Sequence, residues 1–203
     1  MRFALLAPLL GAFCLTGCTM MSQPAELDLA TARITSDFET YTLRRVGLVP
    51  LRGFDLDVDQ ERVLRSAIFN EFSQGTPYEI VPLERNDLEE VPGSDPYRRG
   101  RYDPRTIIAL SRRYELDGVF VTTITDHQFF DPQRLSMQID LVATETGVAI
   151  WSSSIHLDAS HPEVRKSLRA YLEREDESET WEINLLSPRS FAQFAAHQMA
   201  RML

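Results

Sequence analysis

The chain has 203 residues, 43% of them hydrophobic, which suits one globular domain with room for a buried core. Asp and Glu number 30 against 21 Lys and Arg, for a formal net charge of -9, and Lys166 is the only lysine. That balance argues against general nucleic-acid binding and against broad adhesion to anionic lipid, because both need cationic surface. The two cysteines, Cys14 and Cys18, lie near the start, so the rest of the chain can hold neither a disulfide nor a Cys-based metal site.

Arg2 precedes an apolar run from Phe3 to Phe13, broken only by Pro8 and Gly11. The run is too short to span a bilayer core of ~30 Å and reads as an export signal. It ends in Leu15-Thr16-Gly17-Cys18, which resembles the lipobox of bacterial lipoproteins. That resemblance implies cleavage between Gly17 and Cys18 and acylation of Cys18 with chains of the palmitate type. Residues 1–17 are then a lipoprotein signal peptide, residues 18–43 a lipidated tether and residues 44–203 the folded domain. The implied location is the bacterial cell envelope, with the domain in the periplasm and the membrane as a partner through the lipid on Cys18. Thr19 stands where an aspartate retains many enterobacterial lipoproteins in the inner membrane, so the outer membrane is favoured.

Within the tether, Leu27, Ile34, Phe38 and Tyr41 fall near one helical face, which predicts a short amphipathic helix. Val46 to Leu51 is a short apolar run ended by Pro50 and Gly53 and predicts a buried strand. Asp57 and Gln60 have the spacing of a capping box, and Val63, Leu64, Ala67, Ile68 and Phe72 continue a helix that Gly75 and Pro77 stop. Tyr78 to Leu83 predicts a second strand, residues 84–90 a helical turn, and residues 91–102 a loop. Asp103-Pro104 opens the next helix, with Ile107, Leu110 and Tyr114 on its apolar face.

Residues 119–125 form a strongly β-favouring run. Residues 134–143 and 148–157 flank Thr144-Glu145-Thr146-Gly147 and predict an antiparallel hairpin, with a positive φ at Gly147. Leu135, Met137, Ile139 and Leu141 give its buried face. Trp151, an even step from Gly147 and Ala149, is expected to share their face and lie under a helix. Helices near 162–174 and 188–203 complete the chain, around an acidic stretch from Glu173 to Glu179. The fold class is α/β: a mixed sheet with parallel strands joined by helices, an antiparallel hairpin, and helices packed on the sheet.

Catalytic signatures are sparse. His127, His156, His161 and His197 show no metal-ligand spacing, and no Gly-x-Ser-x-Gly elbow, P-loop or dinucleotide fingerprint occurs, so no metal or cofactor is expected. Asp126-His127, beside Phe129, Phe130 and Asp131, has the composition of a general-base pair or of a contact loop. Phe129 and Phe130 suit an exposed contact or, by preference, a core plug. Tyr97-Arg98-Arg99-Gly100-Arg101-Tyr102 mixes guanidinium groups with rings, which suits stacking and carboxylate or phosphate contact. The candidate partner-binding residues are therefore Arg98, Arg99, Arg101, Tyr102, Asp126, His127, Phe129 and Phe130, beside the lipidation site Cys18.

Four segments carry a family resemblance: RRVGLVPL at 44–51, YEIVPLER at 78–85, DPRTIIALSRRYELDGVFVTTIT at 103–125 and LSMQIDLVATETGVAIWSSS at 135–154. Their order resembles the domain shared by the curli secretion lipoprotein CsgG, the penicillin-binding-protein activator LpoB and the amino-terminal domain of TolB. The resemblance covers about residues 44 to 200. It departs from the pattern at Thr122 and Thr123, where a glycine is common, and the chain lacks the long alternating inserts of a curli-type channel. It implies a non-catalytic interaction or assembly module for another envelope protein. The alternative is an envelope hydrolase using Asp126 and His127.

Overall fold

The computed structural model describes residues 27–53, 56–89, 97–98, 101–175 and 186–203. The apolar run β2 (Arg45–Leu48) lies parallel to β7 (Gly118–Gln128), and the sheet grows outward from that pair. On one side, β2 is flanked by β4 (Glu79–Pro82), also parallel. On the other, β7 pairs antiparallel with β8 (Arg134–Ala143), β8 with β9 (Ala149–Asp158), and β9 with β1 (Ala30–Ile34). The short β3 (Arg52–Gly53) continues the line of β2 along β7, completing a 7-stranded sheet in the order β1-β9-β8-β7-β2-β4. The mixed α/β architecture expected from the sequence is the one observed.

Local chemistry sets the helix starts. α1 (Val58–Gly75) begins with a complete capping box: Asp57 accepts from the Gln60 N–H at 2.8 Å, and Gln60 Oε1 accepts from the Asp57 N–H at 3.1 Å. α2 (Arg85–Glu89) is a single turn. α3 (Pro104–Tyr114) is capped by Asp103, which accepts from the Arg105 N–H at 2.9 Å, and it ends at Glu115 in the left-handed region. α4 (Pro162–Glu175) and α5 (Pro188–Ala200) follow β9, with Ser187 capping α5.

The main core joins Leu48, Phe120, Ile139, Leu141 and Trp151 of the sheet to Leu64, Ile68 and Phe72 of α1, Leu168 of α4, and Phe191 and Phe194 of α5. A second cluster on the opposite face joins Val49, Val119, Val121 and Val142 to Ile107 and Leu110 of α3. Hydrophobic burial on both faces explains why β7 reads as a continuous apolar run rather than an alternating one.

Two expectations are corrected. Residues 30–34 form the edge strand β1, not a helix: Ala30 lies opposite Ile155 and Ile34 opposite Trp151. The helical spacing there is coincidental. Leu27 and Ile34 are exposed, and Phe38 sits in a short 3-10 turn at Phe38–Thr40. The sheet therefore begins inside the stretch read as tether. The second correction is a β-bulge between Leu141, opposite Trp151, and Val142, opposite Ala149. Ile150 is the extra residue, so Ile150 and Trp151 both enter the main core while Ala149 packs against the second cluster. Trp151 is buried as expected, but it does not share a face with Ala149. Gly147 takes the expected positive φ, 69°.

Candidate functional site

Asp126 and His127 lie near the end of β7, with Phe129, Phe130 and Asp131 in its connection to β8, and the structure takes this candidate cluster apart. A second bulge, between Ile124 and Asp126, resets the register so that Asp126 lies opposite Ser136 and His127 opposite Leu135. Consecutive strand residues project to opposite faces, so Asp126 and His127 do not form an acid–base pair. Asp126 lies 4.0 Å from the Arg134 guanidinium, while the His127 ring tilts against Phe129 with centroids 5.6 Å apart. Gln128 Nε2 closes the tip by donating to the carbonyls of Phe130 and Pro132 at 3.3 and 2.9 Å. Phe129 packs against the main core, as a plug should, but Phe130 is 81% exposed.

Of the arginine–tyrosine stretch, Arg99 lies outside the described residues, as does Cys18. The backbone at Arg98, Arg101 and Tyr102 forms a small antiparallel pair, β5 (Tyr97–Arg98) with β6 (Arg101–Tyr102), in place of the expected irregular loop.

Two polar constellations were not singled out from the sequence. The first is a strip on the face of β1, β9 and β8 opposite the main core. Thr31, Ser154, Gln138 and Thr123 form one row across the strands, and His156, Ser136 and Asp126 form the next. Ser136 Oγ lies 2.6 Å from His156 Nδ1, and Thr31 Oγ1 lies 3.0 Å from Ser154 Oγ. Asp140, 5% exposed, accepts from Gln138 Nε2 at 2.9 Å and from the Ser152 hydroxyl. Within the row, Ser136 stands between Asp126 and His156. A nucleophilic triad needs the base in the middle, oriented by the acid, so this order does not support the hydrolase reading.

The second constellation ties three helices together. Glu71 of α1 accepts from Tyr171 of α4 at 3.0 Å and lies 3.1 Å from His197 Nδ1 of α5. The Tyr171 and His197 rings approach to 4.9 Å, beside a groove of about 410 Å3. No group of three or more metal-ligating side chains occurs among the described residues. No helix among them is long and apolar enough to cross a membrane.

No protein-family model matches the chain, and no curated protein matches it. Among solved structures, similarity extends to a PelC dodecamer from Paraburkholderia phytofirmans, at 13% identity over 79% of this chain and 97% of that one, with a TM-score of 0.45. Lipoprotein GNA1162 from Neisseria meningitidis is similar at 17% identity over 67% of this chain and 99% of that one, with a TM-score of 0.42. The LpoB C-terminal domain from Escherichia coli is similar at 15% identity over 55% of this chain and 81% of that one, with a TM-score of 0.38. LpoB is one of the three proteins whose shared domain the sequence resembles; CsgG and TolB enter through that resemblance alone.

Proposed function

We propose that this chain is a lipid-anchored protein of the bacterial cell envelope that acts non-catalytically, as an interaction or assembly module for another envelope protein. The observation that carries the reading is Leu15-Thr16-Gly17-Cys18 at the end of a short export signal, about a dozen residues ahead of β1. An acylated Cys18 holds the domain at a membrane, the outer membrane by the sorting rule at Thr19. Two or three acyl chains anchor stably where one binds only marginally. The opposite projections of Asp126 and His127 weigh for a binding role over a hydrolytic one. Protein contact is assigned to Arg98, Arg101 and Tyr102 of the β5–β6 pair and to the polar strip around His156.

Cys18→Ser separates the parts of this reading. The expected outcome is an unacylated precursor that leaves the membrane fraction, while the wild type carries lipid mass and floats with membranes. A mutant that still floats, beside a wild type without lipid mass, would overturn the anchor. Photo-crosslinkers at Tyr102 and His156 in intact cells should capture an envelope protein. Turnover of a hydrolase substrate panel that vanishes in His127→Ala would instead restore the catalytic alternative.

A further inference from the structure

Exposed apolar side chains are common singly and need no explanation; their grouping does. Leu27 is 46% exposed, Val58 73%, Phe130 81% and Leu186 64%. The register brings all four to one end of the sheet. Phe130 lies in the connection from β7 to β8. Arg134, which opens β8, lies opposite Asp158, which ends β9. β1 runs back along β9 from Ala30, opposite Ile155, so Leu27 enters from that same end. Gln133 Nε2 donates to the Leu186 carbonyl at 2.9 Å, which holds the start of α5 to the Phe130 tip. Val58 opens α1 at the end toward which the parallel β2 and β3 run, and it shares a groove with Arg189 near the start of α5.

This is also the end at which the tether leaves. Nine steps of chain separate Cys18 from Leu27, a reach of at most ~30 Å when fully extended. We infer that this end of the domain seats on a zwitterionic bilayer surface, with Phe130 and Leu186 entering the interfacial layer. The inference rests on the lipid-anchor reading above. Aromatic and aliphatic side chains at the headgroup boundary add apolar burial to the acyl anchor and fix which end of the domain faces the lipid. The charge at this end is mixed, with Asp28, Asp131 and Asp158 beside Arg134 and Arg189, and it is the chain's formal net charge of -9 that disfavours an anionic headgroup layer. The opposite end offers a contrast. There Ile34 of β1, at 50%, and Val148 of the β8–β9 turn, at 53%, are exposed on separate elements, Val148 beside exposed Glu145 and Thr146.

The test uses the full lipidated chain in vesicles of phosphatidylethanolamine and phosphatidylcholine. Once Cys18 is acylated, Phe130→Cys or Val148→Cys supplies the one free thiol for a nitroxide label. Collision with oxygen, which concentrates in lipid, is compared with collision with a water-soluble nickel chelate. The oxygen-to-nickel ratio should be several-fold higher at position 130 than at 148. Equal ratios in a protein that is acylated and floats with the vesicles would overturn the seating alone. Missing acyl mass and failure to float would overturn the anchor and the seating with it. A label at Val58→Cys guards against insertion driven by the probe itself: its ratio should fall in the Phe130→Ser, Leu186→Ser background, and an unchanged ratio counts against the inference. Adding phosphatidylglycerol should lower the ratio at position 130; a rise would overturn the choice of lipid.

Discussion

The two faces of the sheet solve different problems. One is sealed by α1, α4 and α5 over large side chains, where Phe72, Phe120 and Trp151 meet edge to face with centroids 4.9 to 6.3 Å apart. The other is shared between a small apolar cluster under α3 and a polar strip along β1, β9 and β8. In β8, Leu135, Met137, Ile139 and Leu141 serve the sealed face while Ser136, Gln138 and Asp140 serve the strip. Strand alternation lets one segment carry both, so packing can be held constant on one side while surface chemistry varies on the other.

That contrast is broken most directly at Trp151. Trp151→Ala should cost ~3–5 kcal/mol, because the indole is 1% exposed and its loss leaves a large cavity. The Met202 carbonyl, which accepts from Nε1 at 3.0 Å, would also lose its partner. Thermal or chemical denaturation reads the effect, and a near-wild-type curve would mean that the sealed face does not depend on this ring. Gly53→Ala should cost about 1–3 kcal/mol by backbone strain. Gly53 has φ 116°, and an added Cβ would lie 1.9 Å from the Ile124 carbonyl oxygen. Faster hydrogen exchange at the β3–β7 junction would report the detached strand; an unperturbed junction would refute the close approach.

On the strip, His156→Ala removes the hydrogen-bond partner of the Ser136 hydroxyl and should cost only about 0.5–1.5 kcal/mol. A loss as large as that at Trp151 would show that the strip is structural rather than free surface. The smallest effect is expected at Asp87. The Tyr114 hydroxyl, 2.7 Å away, and then the Glu84 N–H hold its carboxyl below the usual carboxylate range. Because the folded-state pKa is depressed, this contribution is present above the unfolded value of about 4 and fades as pH falls through the lower folded one. Asp87→Asn should therefore flatten the acid limb of the stability curve slightly, and an unchanged limb would mean that the contact contributes nothing.

Much of the framework could be read directly from residues whose chemistry is local. The Asp57–Gln60 capping box, the Asp103 cap, the turn glycine at 147 and the parallel pairing implied by helical crossovers all took their expected places. Nonlocal pairing was not legible in this way. Of Leu27, Ile34, Phe38 and Tyr41 only Ile34 lies in β1, so their helical spacing joins residues of different elements, and the strand's own period is faint because only Ala30 of β1 is buried. The Ser136–His156 contact was hidden by the bulge at Ile150. Carrying the register of the Thr144–Gly147 turn straight along the hairpin sets Ser136 opposite Ile155, and the one extra residue brings His156 there instead. The bulge at Thr125 likewise decides that Asp126 shares the Ser136 row while His127 faces the core side.

The placement of β1 has a mechanical consequence for an anchored protein. A pull on the chain at Leu27 enters along the axis of β1, whose ladder with β9 runs from Ala30–Ile155 to Ile34–Trp151. Antiparallel hydrogen bonds lie perpendicular to the strands, so this load shears the ladder as a unit instead of peeling it one bond at a time. Force applied across the sheet, perpendicular to β1, would instead unzip the same bonds in sequence. Single-molecule pulling should find a higher rupture force for a load along β1 than for one across it, so the edge strand would resist tension best along the line on which the proposed anchor would pull.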